Sequence, residues 1–157
     1  MLRKYIFCFF VSMVPLIELR GAVPYAVLME LDYWTALVIC VIGNMLPVPI
    51  IYLFARQVLL WGRDKKYIGK FFTLCLEKGE KGGRKLTARA GRGGLFIALL
   101  LFVGIPLPGT GAWTGTLAAS FLNMGLKSTS LSVSLGVILA GIIMGVVSMT
   151  GVHVFGL

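Results

Sequence analysis

The sequence predicts an all-α integral membrane protein. Two re-entrant helical hairpins, each followed by a transmembrane helix, form an inverted repeat joined by a basic cytoplasmic amphipathic helix. Three observations predict it. Of the 157 residues, 58% are hydrophobic and 13% charged, with a mean hydropathy of +0.92, whereas soluble domains carry about 45–50% apolar and about 25% charged residues. The apolar residues fall into four stretches, 5–29, 33–61, 95–122 and 129–157, and the first and third are each interrupted midway. Eleven of the fifteen Lys and Arg lie between Arg56 and Arg92, against three acids, so most of the +9 net charge sits in one connection. The chain reads as a single membrane domain, 1–157, with a first hairpin and span in 1–61, the basic segment in 62–94, and a second hairpin and span in 95–157.

A membrane-spanning helix needs about 20 apolar residues to cross a hydrocarbon core of about 30 Å. The first stretch is broken at Glu18-Leu19-Arg20-Gly21. Its arms, 5–17 and 22–29, would measure about 20 and 12 Å as helices, so neither crosses. The second stretch would be about 43 Å long if straight, which leaves room for an unwound turn at Asn44-Met45-Leu46-Pro47-Val48-Pro49. In the basic segment Tyr67/Ile68, Phe71/Phe72 and Cys75/Leu76 recur at helical spacing among Lys65, Lys66, Lys70 and Lys78. That suits a helix lying on anionic lipid headgroups, or one packed on the floor of the membrane domain. Gly82-Gly83 and Gly93-Gly94 are the expected hinges. In the third stretch Pro106 and Pro108 forbid ordinary helix, and the arms 95–103 and 112–122 reach about 14 and 17 Å. The fourth stretch is a full span. Its Gly141-Ile142-Ile143-Met144-Gly145 permits close packing by the opposite hairpin or by a second subunit, hence a homodimer.

With one span between them, the hairpins enter from opposite faces, as in inverted-repeat transporters. Pro15-Leu16 against Pro106-Leu107 is the trace of the repeat. Irregular backbone within a bilayer must be covered by protein or line a wet cavity, so each tip is expected to be buried. The positive-inside rule places the basic loop in the cytoplasm and the protein in the cell (inner) membrane as a multi-pass chain. Glu30 and Asp32 then lie outside. So does the N-terminus, against the same rule, because of Arg3 and Lys4. A fully spanning first stretch would resolve that conflict but reverse the second. Residues 1–22 also have the outline of a signal peptide, although Glu18 and Arg20 crowd the cleavage position.

Several classes are excluded. A nucleic-acid binder does not set its basic segment between long charge-free runs, and disorder needs low hydrophobicity. Three scattered cysteines (Cys8, Cys40, Cys75) make neither a disulfide framework nor a zinc site, and Cys8 and Cys40 read as apolar filler. A lone His153 builds no metal centre; it is expected to cap or face water. Gly79-Glu80-Lys81-Gly82-Gly83-Arg84-Lys85 lacks the spacing of a phosphate loop. No nucleophile–base pair is visible, so the chain is not expected to be an enzyme, and no cofactor is implied.

The candidate site is drawn from the two tips. Glu18 and Arg20 are the only charges within the first stretch, and an ionisable group at membrane depth is a functional hypothesis by default. Glu18 is expected to carry a proton or cation and Arg20 to hold an anionic group; the alternative is a structural ion pair near a shallow hairpin end. At the second tip, Pro106, Pro108, Gly109, Thr110 and Gly111 precede a half-helix whose free N–H groups favour an anion. Trp113 adds an indole donor, and Thr110, Thr114 and Thr116 add hydroxyls. Gly and Thr also serve simply to pack helices, and for Gly115 and Thr116 that reading weighs equally. Asn44 either hydrogen-bonds a hairpin tip, lines the cavity or makes a purely structural interhelical bond. Arg56 is expected to snorkel to the interface.

The segments Pro15-Leu16-Ile17-Glu18-Leu19-Arg20-Gly21-Ala22-Val23-Pro24, Gly43-Asn44-Met45-Leu46-Pro47-Val48-Pro49 and Pro106-Leu107-Pro108-Gly109-Thr110-Gly111-Ala112-Trp113-Thr114-Gly115 together resemble the small multi-drug export family of prokaryotic membrane proteins. That family is similar in architecture to the DedA/VTT superfamily. The resemblance implies two opposed re-entrant hairpins and, from some relatives, movement of lipid phosphates with proton coupling. A Gly-Thr-Gly tip stands here where the DedA pattern suggests a second acid. The leading expectation is a proton-coupled secondary transporter exporting a small amphiphilic or anionic substrate. One alternative is a flippase for an anionic lipid carrier such as a polyprenyl phosphate. Another is a non-transporting scaffold acting through the basic loop.

Overall fold

A computed structural model describes residues 2–15, 17–63, 69–107 and 109–155. Every secondary-structure element among the described residues is a helix: α1 (Leu2–Met13), α2 (Glu18–Leu28), α3 (Tyr33–Met45), α4 (Pro47–Arg63), α5 (Gly69–Gly104), α6 (Ala112–Phe121) and α7 (Leu126–Phe155). Two helical runs are long and apolar enough to cross a membrane, Tyr33–Val58 and Leu126–Val154, each with a mean hydropathy of 2.3. α1, α2 and α6, of 12, 11 and 10 residues, would be about 18, 16 and 15 Å long.

The first run joins α3 to α4. Leu46 keeps helical angles (φ −62°, ψ −42°), and its N–H still bonds Ile42 O at 3.2 Å. The turn expected to unwind at Asn44–Pro49 is therefore a junction within a continuous helical path. Proline has no N–H to lose and is pre-set for a helix start, so Pro47 opens α4 without expelling Leu46 from the helix. Two other boundaries differ from expectation. The first break falls at 14–17, set by Pro15, and helix resumes at Glu18 rather than after Gly21. The hinge in α5 is Gly91 (φ 69°, ψ 179°), which separates a basic arm, 69–90, from the apolar Gly91–Gly104; residues 82, 83, 93 and 94 are helical. Only glycine takes that conformation at little cost.

The short helices work in pairs. α1 packs on α2 and α3, and α2 also on α7. α5 packs on α7 and α6, and α6 on α4. Lys4 Nζ donates to Met29 O (3.4 Å) and Asp32 N–H to the Tyr5 hydroxyl (3.2 Å), which ties the start of α1 to the end of α2. Ser132 Oγ, on α7, donates to Phe96 O (2.6 Å), so the apolar arm of α5 likewise starts beside the helix that follows α6. Each pair thus returns to the end of the long helix at which it began.

Close approach depends on small residues. A Cβ at Gly136 would lie 2.8 Å from Leu100 O and from Val103 Cβ, so glycine sets the α5–α7 contact. At Gly141 a Cβ would meet Leu37 and Leu19, and at Gly145 the ring of Tyr33, whose hydroxyl bonds Gly141 O at 3.1 Å. The Gly141…Gly145 match is therefore filled by α3 and α2 of the same chain. The core joins Cys8, Leu19, Val23, Cys40, Val48, Val103, Val133 and Val137, none above 1% exposed. The opposite faces of the long helices carry Val38, Ile42, Ile50, Phe54, Val146 and Val147, each more than half exposed. Helices apolar on both faces suit a lipid surround.

Candidate functional site

The breaks 14–17 and 105–111 meet inside the protein through three side chains. Glu18 opens α2 with φ 49°, a left-handed conformation that costs a glutamate about 1–2 kcal/mol. Its side chain is buried, at 5% exposure. Oε2 accepts from Ala112 N–H (3.1 Å) and Oε1 from Trp113 N–H (3.1 Å), the first two residues of α6. The N-cap of α6 is Gly111, which has no side chain to cap with. A carboxylate from a distant helix takes that place, where the positive end of the helix dipole favours it.

Arg20, two residues further along α2, serves the opposite pole. Its Nη2 donates to Val103 O (3.1 Å), Ile105 O (3.3 Å) and Thr110 Oγ1 (2.8 Å), and its Nη1 to Leu107 O. These carbonyls end α5 and form the turn after it. The Thr110 hydroxyl is shared between Ile105 O (3.0 Å) and Leu107 O (2.9 Å), which closes the turn on itself. In return, the Trp113 indole N–H donates to Met13 O (3.2 Å), the last residue of α1. Three of the four helix ends at the two breaks are therefore satisfied from the opposite break. Left bare, such groups are costly where water is scarce.

This arrangement changes what the two charges do. Glu18 and Arg20 bond different helix ends, with no ion pair between them. The anion expected at the N-terminus of α6 is the chain's own Glu18, and the guanidinium of Arg20 is filled by backbone oxygens.

The other residues singled out in the sequence are distributed around this clasp. Pro106 is half-buried, Gly109 is exposed with φ 80°, and Thr114 is exposed with its hydroxyl 3.4 Å from Gly111 O; Pro108 lies outside the described residues. Asn44 stands apart on α3, 2% exposed, and among the described residues its Oδ1 has no hydrogen-bond partner; the hydroxyls of Thr116 and Thr129 share that condition. Arg56 is exposed and donates to Asn123 Oδ1 (2.5 Å), and the Tyr52 hydroxyl donates to Met124 O, so α4 is latched to the turn after α6. His153 is exposed. In the basic segment, Lys65, Lys66, Tyr67 and Ile68 lie outside the described residues. Sequence reasoning missed the acceptors Met13, Val103, Ile105 and Leu107, because backbone carbonyls leave no trace in residue type.

Residues 18–143 match the family model described as "Putative small multi-drug export protein". That match begins at Glu18, immediately after the first break, and includes the second. No curated protein and no solved structure matches the chain.

Proposed function

From a chain that belongs to the small multi-drug export protein family, we propose a proton-coupled secondary transporter that exports a small amphiphile. α1–α2 and α5–α6 are re-entrant hairpins of an inverted repeat, and the clasp between their tips is its gate. The short helices and the return of each pair to its starting end support that architecture. The observation that carries the mechanism is the buried Glu18 carboxylate holding the N–H groups of Ala112 and Trp113.

Export driven by inward proton flow requires proton and substrate to compete for one group. Glu18 meets that requirement. As a carboxylate it is attracted by the dipole of α6 and accepts two hydrogen bonds. Once protonated it loses the charge and turns one oxygen into a donor facing donors, so α6 loosens from α2. A cationic amphiphile bound at the carboxylate is displaced by the same proton. Arg20 positions α5, so the second tip moves as a unit.

The test is transport in proteoliposomes under an imposed pH gradient, with a panel of fluorescent cationic amphiphiles. The wild-type protein should accumulate at least one against its gradient. Glu18→Gln should lose the pH-driven component while retaining downhill exchange. Full pH-driven accumulation by Glu18→Gln refutes the assignment.

A further inference from the structure

A cavity of about 820 Å³ opens at the other end of the second helix pair, away from the tip clasp. Its lining divides by chemistry. Arg84 and Arg92, from either side of the Gly91 hinge, and Lys127 and Ser128, from the first turn of α7, supply three cations and a hydroxyl. Leu95 and Leu122 supply an apolar wall. Among the described residues none of the three cations is paired with a carboxylate. The neighbouring Arg56 is held on Asn123, which also borders the cavity.

Three like charges around one hollow repel one another unless an anion sits between them. The first turn of α7 adds backbone N–H groups without helical acceptors, which favour a phosphate. A purely aqueous anion has no use for the leucine wall; an amphiphile with a phosphate head does. We propose that this cavity binds a phosphate ester, that of an anionic glycerophospholipid, with the phosphate between Arg84, Arg92 and Lys127 and the glycerol and upper acyl chain against Leu95 and Leu122. The site does not depend on transport, and it places the lipid at one hollow rather than along the whole basic helix. Bound there, the lipid fastens the basic arm of α5 to α7 across Gly91.

Native mass spectrometry of the detergent-purified protein with phosphatidylglycerol, phosphatidylcholine or inorganic phosphate tests the assignment. Binding of one phosphatidylglycerol, at least tenfold tighter than phosphatidylcholine, is expected. Arg92→Ala/Lys127→Ala should weaken it about 25-fold or more, at roughly fivefold per cation near a lipid phosphate. Lys85→Ala/Arg89→Ala removes two exposed charges from the same helix that do not line the cavity, and should leave it within about twofold. Equal losses in both double variants, or no preference for phosphatidylglycerol, overturn the site. Binding of inorganic phosphate that requires Arg92 and Lys127, without any lipid preference, keeps the phosphate chemistry and overturns the lipid.

Discussion

Gly111 and Glu18 fit as a matched pair: a Cβ on Gly111 would press on both carboxylate oxygens and lie 2.7 Å from Glu18 Cδ. The absence of that one carbon lets the carboxylate reach α6. Gly111→Ala should therefore expel Glu18 from Ala112 and Trp113. Losing two charge-assisted hydrogen bonds at a buried carboxylate corresponds to about 2–4 kcal/mol. Gly93→Ala meets open space within helix and should be neutral or stabilising, by up to about 1 kcal/mol. Thermal unfolding in detergent compares the two; equal shifts would show that the Gly111 contact contributes nothing.

Arg20→Lys is expected to behave as a loss of function and of stability, despite keeping the charge. One guanidinium spans three carbonyls and the Thr110 hydroxyl, whereas an ammonium is a point charge with no planar fork. The carbonyls left unpaired at the end of α5 should lower stability by about 1–3 kcal/mol. Hydrogen exchange should report it locally, with faster exchange at residues 105–115 and little change in α3. Uniform acceleration across the molecule would show instead that Arg20 supports the whole fold and not the tip.

How much of this was legible beforehand varies by feature. The apolar stretches, the break at Pro106 and the isolation of Glu18 and Arg20 follow from composition and from proline chemistry. The partners of those charges do not, because capping across 90 residues depends on which helix ends the fold brings together. The hinge at Gly91 was hidden among nearby glycines: residue type permits positive φ at all of them and does not select one. Expecting the first break at Glu18–Gly21 gave too much weight to polarity. Pro15 interrupts the helix, and Glu18 resumes it in a left-handed conformation tolerated for the sake of its side chain's two bonds.

Asp32 gives a pH dependence whose sign is fixed by its partners. Its carboxylate accepts from Thr35 Oγ1 (2.6 Å) and Thr35 N–H (2.8 Å), and these bonds hold its pKa below the usual carboxylate range, the hydroxyl contributing most. A depressed folded-state pKa means the stabilisation is present above the unfolded value of about 3.9 and is lost as pH falls through the folded one. The first turn of α3 should fray in acid, read as faster exchange of the Thr35 amide below about pH 4. Asp32→Asn retains a capping oxygen and should flatten that profile. An unchanged profile in Asp32→Asn would assign the acid response to another group.

The re-entrant reading makes a sharp prediction about sidedness. α1 and α2 are each too short to cross about 30 Å of hydrocarbon, and Lys4 bonds Met29 O at the start of the following span. A pair that enters and leaves by one face puts Lys4 and Glu30 on the same side; a single traverse puts them on opposite sides. Arg92 and Lys127 border one cavity with Asn123 and Met124, to which Arg56 and Tyr52 at the far end of the Tyr33–Val58 run are bonded, so both then lie on the other face. Cys8 and Cys40 are fully buried and should give little background labelling, so replacing Cys75 leaves a quiet host. In oriented vesicles, Lys4→Cys and Glu30→Cys should react with a membrane-impermeant maleimide from one face. Arg92→Cys and Lys127→Cys should react from the other. Labelling of Lys4→Cys and Glu30→Cys from opposite faces would make the first pair a single crossing, and the inverted repeat would fall with it.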